Sequence, residues 1–356
     1  MTGSSSQETE FPQGGERLDY PGCILAPGYI DIHIHGGAGH DVMYADSSAL
    51  AVIEASMARR GVTSYLPTTV SAPEKDILRA LKSLGAHIDT SDKRMQRARP
   101  LGIHLEGPFI SHVKRGVHPA DNLLPPTPER LDRFWEASEG TLWMMTLAPE
   151  LDGAMDTIKH AQQLGVISSL GHSNATFDEA RQGIDVGARH ATHSFNAMRA
   201  LDHREPGILG AILEDDQLTA DIIVDGVHIA PTVVDLFVRL KGIERTVLIT
   251  DAISATGMPD GTYRLGSLEV TVHADRCESD GRLAGSVLTL DRAVRNVMSF
   301  TSSDLQQAVR MATFNPAQLL GISGQRGILA PGAVADVVVL TPQGQVVQTI
   351  VAGQSA

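Results

Sequence analysis

The sequence predicts an α/β chain whose eight strands close a (β/α)8, TIM-like barrel, with a small β-sheet or β-sandwich accessory unit attached. Three observations predict it. Short apolar, β-rich runs alternate with longer stretches of helical pattern, the signature of βα units around a parallel sheet. Eight such runs occur before position 252, the number that closes a barrel. Polar residues of metal-binding type stand at the C-terminal ends of those runs, where a barrel carries its active site.

With 356 residues the chain exceeds the roughly 250 of a typical barrel, so a full core and an appendage both fit. Residues 1–17 are polar and are expected to form a flexible tail. The barrel is expected over 27–324. Its first four strands are read as YIDIHIH over 29–35, TSYLPT from 63, LGIHLE ending at 106 and LWMMTLAPE from 142. The other four are VISSLGH ending at 172, HATH over 190–193, ADIIVDG from 220 and TVLITD ending at 251. Helical stretches at 48–60, 154–164, 176–186 and 231–241 fall between them. After the eighth strand, 261–285 alternates and turns like an inserted β-hairpin, and two helical segments follow. The stretch 325–356 reads as short strands linked by Gly and Pro turns, which cannot join a closed barrel. It is expected to form the accessory unit together with 18–26.

Lys and Arg number 29 against 42 Asp and Glu, a net charge of −13 that repels phosphate backbones and anionic lipid. Nucleic acid and membranes are therefore excluded as partners. Only Cys23 and Cys277 are present, too few for a disulfide framework or a thiolate metal cluster, which fits a reducing compartment. The opening residues lack the apolar core of a signal peptide, and no run approaches the ~18 apolar residues of a membrane span. A cytoplasmic protein is expected.

His33 and His35 sit two apart on an apolar strand, so both imidazoles share a face and can reach one cation. Taken alone, the pair fits two hydrogen-bonded histidines equally well. Glu106 ends the third strand before an abrupt Gly107-Pro108 exit; a buried carboxylate there needs a partner or a metal, although a lone Glu before Gly-Pro is more often a turn residue. His172 ends the fifth strand. His190 and His193 are three apart, so an extended strand sends them to opposite faces; His193, nearer the C-terminal end, is assigned to the site and His190 to structure. Asp251 ends the eighth strand, placed to take a proton from water and pass it to a leaving amine, or to cap the following segment. Each signal is modest, but together they place ligands at the same end of five strands. The mixed nitrogen and oxygen set suits Zn²⁺, Fe²⁺, Mn²⁺ or Co²⁺.

This constellation resembles the amidohydrolase superfamily, whose members hold one or two divalent metals at the mouth of a barrel. Many of them bridge two metals with a carboxylated Lys on strand four. Here that strand, LWMMTLAPE, has no Lys, which leaves the bridging role to Glu106 and points to the N-acetylglucosamine-6-phosphate deacetylase family. The resemblance runs from Pro27 onward through PGYIDIHIHG, GIHLEGPFIS, KRGVHP, TLAPE, GHSNAT, ATHSFNAM, HREPGILGAIL, IVDGVHI, LITDAISATGMPDG, LAGS and ATFNPA. It implies that Glu106, His172 and His193 bind the principal metal, zinc foremost, while His33 and His35 support a second. It implies Asp251 as the catalytic acid and base. It places His118 near the acetyl group or sugar hydroxyls, and Asn196, Ala197, Arg204 and His228 near the sugar phosphate. Arg204 is expected to act in the neighbouring subunit of a homodimer, where its fork of donors suits phosphate oxygens. On the residues alone, Arg204 reads instead as a surface ion pair with Glu205. The family ordinarily has a longer strand-forming stretch ahead of PGYIDIHIHG, so a smaller accessory sheet is expected.

The implied reaction is hydrolysis of the acetamide of N-acetylglucosamine 6-phosphate. The galactosamine epimer is the alternative, since these motifs do not distinguish an axial from an equatorial hydroxyl. A cyclic amidohydrolase is disfavoured by the missing strand-four Lys. A non-catalytic sugar-phosphate-binding barrel is disfavoured because no ligand and no acid is lost.

Overall fold

The computed structural model describes residues 17–90 and 96–356. The tail expected over 1–17 lies outside the described residues but for Arg17. Eight parallel strands follow one another around the molecule: Tyr29–Ile34, Val62–Thr69, Ile103–Glu106, Leu142–Leu147, Ile167–Leu170, His190–Ala191, Thr219–Ile223 and Thr246–Ile249. Each pairs in parallel register with the next, and Arg99–Pro100 adds a short pairing beside the second. The second strand is buried along its whole length, as strands covered on both faces are. The chain is a (β/α)8 barrel.

The first and eighth strands meet differently from the rest. They join through an isolated bridge between Ile34 and Ala252, through Asp251 N–H donating to His33 O at 2.9 Å, and through His35 N–H donating to Ala252 O at 2.8 Å. Beneath these contacts the Thr250 hydroxyl donates to the buried Asp31 carboxylate at 2.6 Å. Burial pushes the Asp31 carboxyl up to about 6 against the hydrogen bonds it accepts from Thr250 and the His33 backbone.

The helices lie close to the stretches read from periodicity. Ala154–Leu164 and Pro231–Lys241 coincide with them; Ser47–Ala58 starts one residue earlier and ends two residues earlier than read, and Phe177–Val186 starts one residue later because Thr176 is its cap. Asp46 caps the first by accepting from Ser48 N–H and Ala49 N–H, and Thr176 with Glu179 forms a capping box on the other. Glu74–Thr90, Pro128–Ala137 and Gly207–Glu214 fill the remaining connections.

Two stretches differ from expectation. Residues 261–285 form a four-stranded antiparallel meander, Gly261–Leu265, Leu268–His273, Arg276–Ser279 and Arg282–Leu283, in place of one hairpin. Ala274 and Asp275 (φ 45° and 69°) and Asp280 and Gly281 (φ 48° and 72°) supply two-residue turns with left-handed backbone at both positions, which reverse the chain again. Three helices follow, Leu290–Phe300, Leu305–Ala312 and Phe314–Leu319, where two were read. Ile24–Pro27 pairs with Val337–Leu340, which continues to Val346–Val351 and Gln354–Ser355 in a separate four-stranded antiparallel sheet.

Asp336 ties that sheet to the barrel. Its buried carboxylate pairs with Arg326 and accepts from Ala352 N–H at 2.8 Å, while Arg326 also donates to Ser64 on the second strand at 3.0 Å. Removing one partner of a buried pair leaves the other charge uncompensated. Asp336→Ala is therefore expected to cost about 3–5 kcal/mol, read as a lowered urea midpoint. No helix among the described residues is long and apolar enough to cross a membrane.

Candidate metal centre and active site

The strands stop short of most of the residues assigned to their ends. His172, His193 and Asp251 lie two positions beyond Leu170, Ala191 and Ile249, each with left-handed backbone at φ 46°, 30° and 51°. Such conformations are costly outside glycine, about 1–3 kcal/mol each, and persist where surrounding bonds hold them. Those bonds are present: His193 N–H donates to Asp221, His172 O accepts from Ser111 N–H at 2.9 Å, and Asp251 is tied to His33. The reversal ends the ladder and turns each side chain into the barrel mouth. Glu106 is the last residue of its strand, and Gly107 after it takes φ 69° with its backbone packed against the Ser71 side chain, so that a Cβ there would collide.

His33, His35, Glu106, His172, His193 and Asp251 converge, all buried. The His35 Nε2 lies 3.1 Å from Asp251 Oδ1, 3.2 Å from Glu106 Oε2 and 3.1 Å from His33 Nε2. On the other side Glu106 Oε1 approaches His172 Nε2 at 3.1 Å and His193 Nε2 at 2.9 Å, with the two imidazole nitrogens 3.1 Å apart. Two triads result, His33/His35/Asp251 and Glu106/His172/His193, with the ligand atoms of each within 4.8 Å of one another. His190 stays outside, bonded to Thr219 at 2.7 Å and Asp221 at 2.9 Å.

The tautomers fit a cation. His35 Nδ1 faces Thr68 O at 3.1 Å and His172 Nδ1 faces Lys114 O at 3.0 Å; a carbonyl only accepts, so both Nδ1 atoms carry a proton and each Nε2 is the atom turned inward, free to ligate once it gives up any proton of its own. His33 Nδ1 and His193 Nδ1 are buried without a hydrogen-bond partner. Charge in the site is strongly coupled. Burial disfavours ionised Glu106, but the neighbouring His33 and hydrogen bonds from His118, His172 and His193 hold its carboxyl well below the usual range. Burial likewise opposes ionisation of Asp251, which His35 and His33 draw down to about 2. In turn burial works against protonated His35 and His193, yet the carboxylates lift them to about 10 and about 9, while burial prevails at His172, lowered to about 4. Four imidazole nitrogens crowded around two carboxylates match the donors of a borderline divalent cation, which would displace those protons.

A cavity of about 170 Å³ opens onto the cluster and is also lined by His118, Asn196, Ala197 and His228. Ser71 N–H donates to His118 Nδ1 at 3.2 Å, so the His118 proton sits on Nε2, 3.5 Å from Glu106 Oε2. Asn196 Nδ2 donates to His193 O at 3.2 Å, and Ala197 sits at φ 49° in the same irregular loop. Arg204 is not brought into the cavity: it is exposed, its backbone bonded to Asp202 at 2.9 Å. Glu205 is committed to the Phe177 and Gly207 backbones at 2.9 and 3.1 Å. Sequence reasoning missed Ser71, which no motif marks, and Leu265 and Leu283, which the meander sends into the cavity wall. It also passed over Asp225, whose i,i+3 spacing to His228 in DGVHI was a usable signal.

The amidohydrolase family profile matches residues 24–356. The N-acetylgalactosamine-6-phosphate deacetylase of Escherichia coli O157:H7 is 41% identical over 338 residues, covering 94% of this chain and 88% of that protein. The N-acetylglucosamine-6-phosphate deacetylase of Lysinibacillus sphaericus is 38% identical over 343 residues, covering 96% and 88%. The fold is similar to N-acetyl-D-glucosamine-6-phosphate deacetylase from Mycobacterium smegmatis, solved as a mutant in complex with N-acetyl-D-glucosamine-6-phosphate. That likeness has a TM-score of 0.89 at 38% identity and covers 94% of this chain and 87% of that one.

Proposed function

The chain belongs to the amidohydrolase family, and from that premise we propose that it is a metal-dependent N-acetylglucosamine-6-phosphate deacetylase, releasing acetate and glucosamine 6-phosphate. The observation that carries this reading is the convergence of Glu106, His172, His193, His33, His35 and Asp251 beside one cavity.

Glu106, His172 and His193 would hold the principal ion, zinc foremost, with His33 and His35 able to hold a second. A bound dication supplies Lewis-acid polarisation of the acetamide carbonyl and lowers the pKa of nearby water. Asp251, held ionised, takes the proton from the attacking water and returns it to the amine as the C–N bond breaks. His118 Nε2–H, fixed by Ser71, donates to the carbonyl oxygen as negative charge develops there. Asn196, Ala197 and His228, which also line the cavity, are the residues we assign to the sugar phosphate. Arg204, exposed and outside this cavity, is the residue we assign to the neighbouring subunit's site in a homodimer.

Chelation is expected to abolish acetate release, and Zn²⁺, Fe²⁺, Mn²⁺ or Co²⁺ to restore it with one or two ions bound per chain. A chelated chain of unchanged activity, or a loaded chain that releases no acetate, would end this reading. The galactosamine epimer is the second reading, favoured by the Escherichia coli relative. Comparing kcat/KM on the two 6-phosphates separates them.

A further inference from the structure

We propose that Asp225 is a positioning residue that orients His228 toward the anionic end of the substrate; this rests on the deacetylase reading above. The cavity has a chemical gap that calls for such a residue. Among the described residues lining it there is no Lys or Arg, so within one chain an anionic group meets ring nitrogens and an amide outside the metal cluster, and at least one of them must be held in place for it. His118 is already committed on both sides, its Nδ1 to the Ser71 backbone N–H at 3.2 Å and hydroxyl at 2.9 Å and its Nε2 toward Glu106 Oε2 at 3.5 Å. His228 remains.

His228 is held in the opposite way. Its Nδ1 lies 2.7 Å from Asp225 Oδ2, and the other carboxylate oxygen accepts Val227 N–H and His228 N–H, both at 2.8 Å. The loop beneath is pinned where Asn296 donates to Val224 O at 2.8 Å, and both side chains of the pair are buried to about 95%. The carboxylate therefore has one orientation. An anionic acceptor at Nδ1 requires a proton there, which leaves Nε2 as the atom available to the cavity, and no described residue bonds to it. Asp225 thereby fixes which ring nitrogen meets the substrate: Nε2 shares a proton with the phosphate oxygen it faces. Burial raises the Asp225 carboxyl, but His228 and the two backbone donors bring it below the usual range, so the charge is present.

The test uses the metal-loaded chain, with Asp225→Asn, His228→Gln and the double variant. Asn keeps an oxygen for the backbone donors, and melting curves matching the parent confirm that the fold survives. For Asp225→Asn we expect KM for N-acetylglucosamine 6-phosphate to rise roughly 10–100-fold, the worth of one charge-assisted hydrogen bond, with kcat within about threefold. The kcat/KM for unphosphorylated N-acetylglucosamine should not move, and in the His228→Gln background Asp225→Asn should add nothing. Equal losses on both sugars, or additive losses in the double variant, would overturn the proposal. Calorimetric binding of inorganic phosphate gives a readout that needs no turnover: it should weaken in Asp225→Asn, and unchanged binding would also overturn the proposal. Absence of acetate release by the parent chain would instead strike at the deacetylase reading, leaving the phosphate measurement to decide this one.

Discussion

Asp251→Asn is expected to lower kcat for acetate release by roughly 10²–10⁴-fold, the range for losing a positioned acid or base. The bound metal should remain. Asparagine has the shape of aspartate and keeps an oxygen toward His35 Nε2, 3.1 Å away in the parent. Its backbone N–H still donates to His33 O. What it lacks is a site that can take a proton from water and return it to nitrogen. Because that proton is in flight only in the transition state, kcat should fall while KM changes little. Steady-state kinetics alongside metal analysis checks this, and near-parental turnover would remove Asp251 from the chemistry. A loss of ions with the loss of turnover would recast it as a ligand, the role its grouping with His33 and His35 allows.

Glu106→Gln should strike the cation itself. Its two oxygens lie 2.9–3.5 Å from His33, His35, His118, His172 and His193, so it is the carboxylate that touches both triads. Glutamine preserves the outline but removes the charge that makes a cluster of imidazoles attractive to a dication. Replacing residues that merely support metal ligands costs about 10–100-fold in affinity or activity, so loss of this ligand is expected to exceed about 10²-fold. Metal content should fall below that of the parent, and added Zn²⁺ should no longer raise the melting temperature. A variant that still binds a full complement of metal would show that the histidines suffice.

Much of the fold was legible because parallel strands covered on both faces must be apolar throughout, and helices packed on one side must alternate at their own period. The ladder ends were not legible to the residue. His172, His193 and Asp251 adopt left-handed backbone that tertiary bonds impose and local propensity opposes. The argument from alternation at His190 and His193 reached the observed arrangement, but the strand it assumed ends at Ala191. One hairpin undercounts the meander: Ala274-Asp275 carries no glycine to announce its turn, whereas Asp280-Gly281 is a turn signal the sequence does offer. Among site residues, those on long motifs could be placed in advance. Ser71 could not, since a lone serine outside any motif carries no signal until the fold brings its backbone N–H and hydroxyl to His118, 47 positions away. Arg204 was named by resemblance alone, and a single chain leaves it facing solvent.

The first strand meets the eighth along a short seam. That junction is a suture with few stitches, and on its two sides stand His33 and His35, then Asp251, more than two hundred positions later in the chain. An ion gripped by all three would act as a reversible cross-link closing the whole circuit of the barrel, much of whose entropic cost the folding chain must otherwise meet with packing alone. Completion of the cylinder and filling of its mouth would then be one thermodynamic event, each drawing the other to completion.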